Sequence, residues 1–136
     1  MKALLIWLGA AIIVLAGVAF GYHVFRENNP DRVLVVVDSS FPMHDAWNDV
    51  RARLDDIDDR RYSEFALITE KRRVHGWSST LDLDGVEPYA PRDFSELEKP
   101  DVYPEVEDAS EIIFITNANA SETKGFDGWK VVDPTS

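Results

Sequence analysis

The sequence predicts an α/β fold, a small and mostly parallel sheet flanked by helices, behind one N-terminal transmembrane helix. Three observations predict it. Residues 3–20 carry no charge and are dominated by Leu, Ile, Val and Ala, and the apolar character continues through Gly21, Tyr22, His23, Val24 and Phe25. That length is about enough to cross a ~30 Å hydrocarbon layer as a helix. β-Branched and leucine runs at 33–37 and 112–116 suit strands covered on both faces, as in the middle of a parallel sheet. From Met43 the apolar residues Met43, Trp47, Val50, Leu54 and Ile57 fall on one helical stripe, and a strand followed by an amphipathic helix opens a βαβ unit.

The chain divides into an anchor at 1–25, a polar Pro-containing tether at 26–32, and a domain at 33–136. Tyr22 and His23 fall where an interfacial belt belongs, and Arg26 can snorkel. Lys2 and the terminal amine bias the N-terminus to the cytoplasm, which places the domain on the periplasmic or extracellular side. A cleaved signal peptide is the rival reading: Gly17 and Ala19 are small residues before a cut at Phe20, and cleavage there releases a secreted domain. The single leader lysine and the apolar residues beyond 20 favour a retained anchor. Nothing later approaches this apolar length, so a single span is expected. Gly17 and Gly21 form a GxxxG pair suited to helix packing.

With 136 residues, the chain past its leader has room for one domain of roughly 100 residues and one core. A net charge of −11 excludes nucleic acid, whose phosphates need clustered Lys and Arg. The absence of cysteine removes disulfides, thiolate metal sites, thiol catalysis and cysteine lipidation.

Beyond the first helix, 64–69 reads as a second strand and 70–72 as a turn. Residues 73–77 return antiparallel as an edge strand, and 130–132 form a last short one. The stretch 81–110 reads as a surface excursion broken by Pro88, Pro91, Pro100 and Pro104. A short helix is expected at 94–99, capped by Asp93 and ended by Pro100. Between Asp82 and Glu111 there are 11 acidic residues against only Arg92 and Lys99. A solvated acidic loop is the preferred reading, and a docking surface for a basic partner the other.

The order of these parts carries a resemblance. Asp38-Ser39-Ser40-Phe41-Pro42-Met43 closes the first strand, an amphipathic helix and the FALITEKRRVHGW hairpin follow, and a later apolar strand ends in Thr116-Asn117-Ala118. Over about 32–132 this resembles a von Willebrand factor A-type domain, whose first strand ends in Asp-x-Ser-Gly-Ser-Met. The resemblance implies a Rossmann-like fold that binds proteins at its strand-end face, here Asp38, Ser40, Thr116 and Asn117. It also implies a Mg²⁺ site with Asp38 and Ser40 among its ligands and Thr80 as a candidate third-loop hydroxyl. This chain departs from the pattern: Pro42 replaces the second serine and Asn117 the second aspartate. One carboxylate with a few neutral oxygens holds a divalent ion weakly, so no cofactor is expected. The preferred local reading is that Asp38, Ser39 and Ser40 cap the following helix, with Pro42 near its start.

Other constellations fall away. Ser39 or Ser40 with His44 and Asp45 has the residue types of a hydrolase, yet neighbouring His and Asp on one helix point apart and no Gly-x-Ser-x-Gly elbow is present. His23, His44 and His75 are too scattered for a local ligand pair. A helix splays the acids of 55–59 apart. Arg51, Arg53, Arg60, Arg61, Lys71, Arg72 and Arg73 hold half of the 14 basic residues and are read as offsetting the Asp run or meeting the acidic excursion. Trp47 is a core residue, while Trp77 and Trp129 remain open between core and partner contact. The expectation is a non-enzymatic, membrane-anchored protein–protein interaction module, an accessory or assembly subunit of a membrane or periplasmic complex. Its alternatives are a Mg²⁺-dependent adhesion or chaperone-like module, a small hydrolase, and a structural subunit whose anchor packs into a larger assembly.

Overall fold

A computed structural model describes residues 1–99 and 101–136. The chain forms two compact units, Met1–Pro30 and Asp31–Ser136. The first is a single helix, α1 (Lys2–Asn28), long and apolar enough to cross a membrane. It ends at Asn29, whose backbone N–H and side-chain amide both donate to the Phe25 carbonyl at 3.0 and 2.9 Å. The stretch between helix and sheet is shorter than the tether expected at 26–32. Nothing in Arg26-Glu27-Asn28 breaks the helix, and Asp31 already pairs with Ser63 as a strand residue.

The second unit is built on a five-stranded sheet in the order β3-β2-β1-β4-β5, from β1 (Asp31–Val37), β2 (Ser63–Thr69), β3 (Arg73–Ser78), β4 (Glu111–Ile115) and β5 (Lys130–Val132). β1 runs parallel to β2 and β4, and β4 parallel to β5, while β3 is the one antiparallel edge. Because side chains alternate along a strand, the apolar runs serve two layers. Val33, Val35, Val37, Phe65, Leu67, Ile113 and Ile115 meet α2 (Trp47–Asp58) through Trp47, Val50, Leu54 and Ile57. Leu34, Val36, Ala66, Ile68 and Phe114 meet Phe94, Leu97, Tyr103 and Phe126 on the other side. Full burial of each such side chain stabilises by about 1.5–3 kcal/mol.

The expected stripe from Met43 does face the core, but the chain first winds through a 3-10 turn, Phe41–Ala46, and becomes α-helical only at Trp47. The expected surface excursion at 81–110 is instead a wrap. Its early part puts Val86, with Leu81 and Leu83 beside it, into the α2 layer. Its later part puts Phe94, Leu97 and Tyr103 into the opposite layer. The short helix expected at 94–99 is a 3-10 turn, Ser95–Glu98, whose start Asp93 holds by accepting the Ser95 N–H at 2.9 Å; Pro100 lies outside the described residues. A further turn, α3 (Glu105–Asp108), follows.

Both open tryptophans pack on the second layer. Arg32 lies over the Trp77 ring at 5.2 Å, and Trp129 joins an edge-to-face group with Phe114 and Phe126.

Candidate functional site

Parallel strands place their C-terminal ends at one rim, the usual location of binding sites in open α/β sheets. β1 and β4 are neighbours, so Asp38 and Asn117 leave the sheet side by side. The Asp38 N–H donates to Ile115 O, and the Thr116 N–H to Val132 O, each at 3.0 Å. Asp38 is 0% exposed. Its Oδ1 accepts the Ser40 N–H at 3.0 Å and the Ser40 hydroxyl at 2.5 Å. Its Oδ2 accepts the Thr116 hydroxyl at 2.6 Å and Arg92 Nε at 2.9 Å. An ionised carboxylate offers about four lone-pair sites, and all are in use.

Arg92 extends this cluster across the rim. Its remaining nitrogens donate to Asn117 Oδ1 and, at 3.3 Å, to Glu122 Oε2. Asn117 in turn donates its amide to Pro42 O at 2.9 Å, so the β1 and β4 loops are stitched together. The Arg92 side chain is only 14% exposed. A buried ion pair needs such added hydrogen bonds to offset its desolvation.

The backbone that delivers Arg92 is a strap over the strand ends. The Tyr89 N–H donates to Ser39 O at 2.9 Å and the Phe41 N–H to Ala90 O at 2.8 Å, while Ala90 bends the strap at φ 64°. Beside it a second network holds Ser39. Its N–H donates to Glu70 Oε2 at 2.8 Å and its hydroxyl to Glu70 Oε1 at 3.0 Å. Lys71 Nζ donates to Ser39 O, Ser39 Oγ and Glu70 Oε1 at 2.6, 2.9 and 2.6 Å, which uses all three ammonium hydrogens. Lys71 also lies 4.3 Å over the Tyr89 ring. A cavity of about 270 Å³ opens here, lined by Ser39, Thr69, Lys71, Arg72, Gly85 and Tyr89 among others. Thr69, one of the lining residues, accepts the Tyr103 hydroxyl at its carbonyl at 3.0 Å. The Tyr103 phenol is pushed up by burial first and by the nearby Glu70 charge second.

The four residues expected at the rim are thus brought together, with Asp38, Ser40 and Thr116 buried and Asn117 exposed. The capping role expected for Asp38, Ser39 and Ser40 is not what they do. Neither the 3-10 turn nor α2 carries a side-chain cap, because Asp38 bonds Thr116 and Arg92, Ser39 bonds Glu70, and Ser40 bonds Asp38 instead. Thr80 is exposed at the other end of the sheet, since antiparallel β3 carries the chain away from the rim and pairs Ser78 with Phe65. No family model, curated protein or solved structure matches this chain.

The oxygens a divalent ion would use are already engaged: Asp38 Oδ2 and Asn117 Oδ1 face the Arg92 guanidinium, and Pro42 contributes only a carbonyl that Asn117 already occupies. Of the residue types of a hydrolase, Ser39 and Ser40 donate to carboxylates and His44 stacks on Phe41 at 5.9 Å.

Sequence reasoning passed over Arg92, Glu70, Lys71, Phe41 and Tyr89. For Arg92 a signal existed, because it is one of two cations in a stretch with 11 acids. Phe41 and Tyr89, 64% and 61% exposed, are the most exposed large apolar side chains among the described residues of 31–136.

Proposed function

We propose that the chain is a membrane-anchored protein–protein interaction module, an accessory or assembly subunit of a membrane or periplasmic complex, with its contact face at the C-terminal rim of the sheet. The observation that carries this reading is the pair Phe41 and Tyr89. Both aromatics are largely exposed, on segments tied by the Phe41 N–H to Ala90 O bond, around an aspartate that Arg92 already neutralises. Exposed aromatics on a stiff backbone supply contact area at low entropic cost and mark binding surfaces. In this reading Asn117 touches the partner directly, while Asp38, Ser40 and Thr116 shape the rim from beneath.

The A-type likeness has support in the strand order, the single antiparallel edge strand and the meeting of Asp38, Thr116 and Asn117 at one rim. Function by fold likeness alone is a weak warrant, so the reading rests on the exposed pair. The helix α1 is the anchor, and the domain lies outside the cytoplasm.

Site-specific photo-crosslinking in native membranes tests it. A benzophenone amino acid at 41 or 89 is expected to form a discrete adduct that the same probe at Asp59, exposed at the far end of α2, does not form. Phe41→Ala with Tyr89→Ala should abolish the complex while leaving the unfolding midpoint unchanged. Equal labelling from 41, 89 and 59, or none from any, defeats the proposal.

A further inference from the structure

Asp38 is fully buried, and a carboxylate taken out of water requires a cation or a dense set of donors. In A-type domains that keep their metal, the resemblance puts a divalent ion at this point. Here the cation comes from the chain itself. We propose that Arg92 is the resident cation of the rim, and that this rim is built to hold its shape without a divalent metal ion.

The geometry argues for a resident rather than a passing contact. Arg92 makes three contacts to two loops: Nε to Asp38 after β1, and its terminal nitrogens to Asn117 and Glu122 in the β4–β5 connection. Glu122 is itself placed by accepting the Asn119 N–H at 3.0 Å. A metal ion ties loops by coordination; the planar guanidinium ties the same loops through its separate N–H directions. The other cation nearby, Lys71, is committed to Ser39 and Glu70.

Delivery is also fixed. The strap is bonded to the β1 loop at Tyr89 and Ala90, three and two residues before Arg92, and Phe94, two residues after it, is buried against Phe114 at 5.0 Å between ring centres. The guanidinium is therefore a tethered ligand, whose effective concentration at Asp38 reaches the millimolar range or above. A free divalent ion facing one carboxylate and neutral oxygens does not displace it. This inference concerns the rim's own construction and does not depend on the protein-binding reading.

The test uses the full chain in detergent micelles, stripped of metal with EDTA. Thermal denaturation is followed without metal and in millimolar Mg²⁺ or Mn²⁺, alongside calorimetric titration with the same ions. The wild type is expected to show one Tm throughout and no saturable heat. Arg92→Met should lower Tm by about 10 °C or more, the scale of an uncompensated buried charge in a small domain. Arg92→Lys should recover only part, since an ammonium lacks the three-way fork. Adding Asp38→Asn to Arg92→Met should return part of the loss, because no bare carboxylate remains. Saturable Mg²⁺ or Mn²⁺ binding by the wild type that Asp38→Asn abolishes would overturn the proposal, as would an Arg92→Met chain as stable as the wild type. If Arg92→Met does not fold, the wild-type arms decide alone.

Discussion

Ala90 occupies backbone geometry that usually belongs to glycine. At φ 64° it lies in the left-handed region, which costs an L-residue roughly 1–2 kcal/mol, and its carbonyl accepts the Phe41 N–H. The bend sets Tyr89 on one side and Arg92 on the other. Ala90→Val, which adds a β-branch there, is expected to lower the unfolding free energy by about 1–2 kcal/mol in urea titrations, whereas Ala90→Gly should hold or raise it. A valine variant of wild-type stability would mean the strap is free to rearrange. Glu70 supports the same rim from β2. Its side chain is 2% exposed, so Glu70→Ala leaves the Ser39 N–H and the Lys71 ammonium without their partner, at a cost of about 3 kcal/mol. Glu70→Gln keeps an acceptor for Ser39 and should lose less; no change in Glu70→Ala would remove Glu70 from the support of the rim. That Asp38, Ser40, Thr116 and Asn117 share a rim was implied by the resemblance, and they do so because β1 and β4 pair in parallel and each residue follows one of those strands. Arg92 and Glu70 were not legible: they meet Asp38 and Ser39 across 54 and 31 residues, and pairing at that distance leaves no local pattern.

β1, β2 and β4 were readable for a physical reason, since strands covered on both faces must be apolar at every position. α2 was readable from its stripe, although its first turn was not, because Pro42 and the rim bonds favour a tighter 3-10 path. The wrap at 81–110 was hidden by its composition. Val86, Phe94, Leu97 and Tyr103 are buried but follow neither a period of two nor one of 3.6, so acids and prolines dominated the reading. The wrap is also fastened by charge, which puts one of the clustered arginines to use: Arg73 pairs with Glu105 at 2.5 Å, while Arg60 pairs with Glu111 at the start of β4 at 2.8 Å. Burial acts to raise the Glu105 carboxyl, but the Arg73 hydrogen bond, a backbone bond and the Arg73 charge outweigh it and leave the pKa below the usual 4.5. Arg73 is raised, chiefly by that same hydrogen bond. A carboxyl depressed on folding contributes stability that is complete above its unfolded pKa and is lost as pH falls through the folded value. The wild-type urea midpoint should therefore drop more steeply between about pH 5 and pH 3 than that of Glu105→Gln. Superimposable acid limbs would show that the β3–α3 clasp adds nothing to stability.

Both layers of the core are formed entirely from residues after Pro30, and α1 contributes no buried side chain. A chain cut at residue 31 therefore keeps every strand, α2 and the wrap. It should unfold cooperatively with the urea midpoint of the full chain and remain in the supernatant. The full chain behaves differently in the anchor reading: each Leu, Ile, Val or Phe at the centre of an inserted helix contributes roughly −0.3 to −0.6 kcal/mol, and α1 carries these residues along most of its length. It should pellet with membranes and resist alkaline carbonate. The N-terminal peptide recovered from that pellet by mass spectrometry should include residues ahead of Phe20. A soluble mature form beginning near Phe20 would instead establish the secreted alternative. In that case the rim would have to find its partner by diffusion in three dimensions, without the concentrating effect of a shared bilayer.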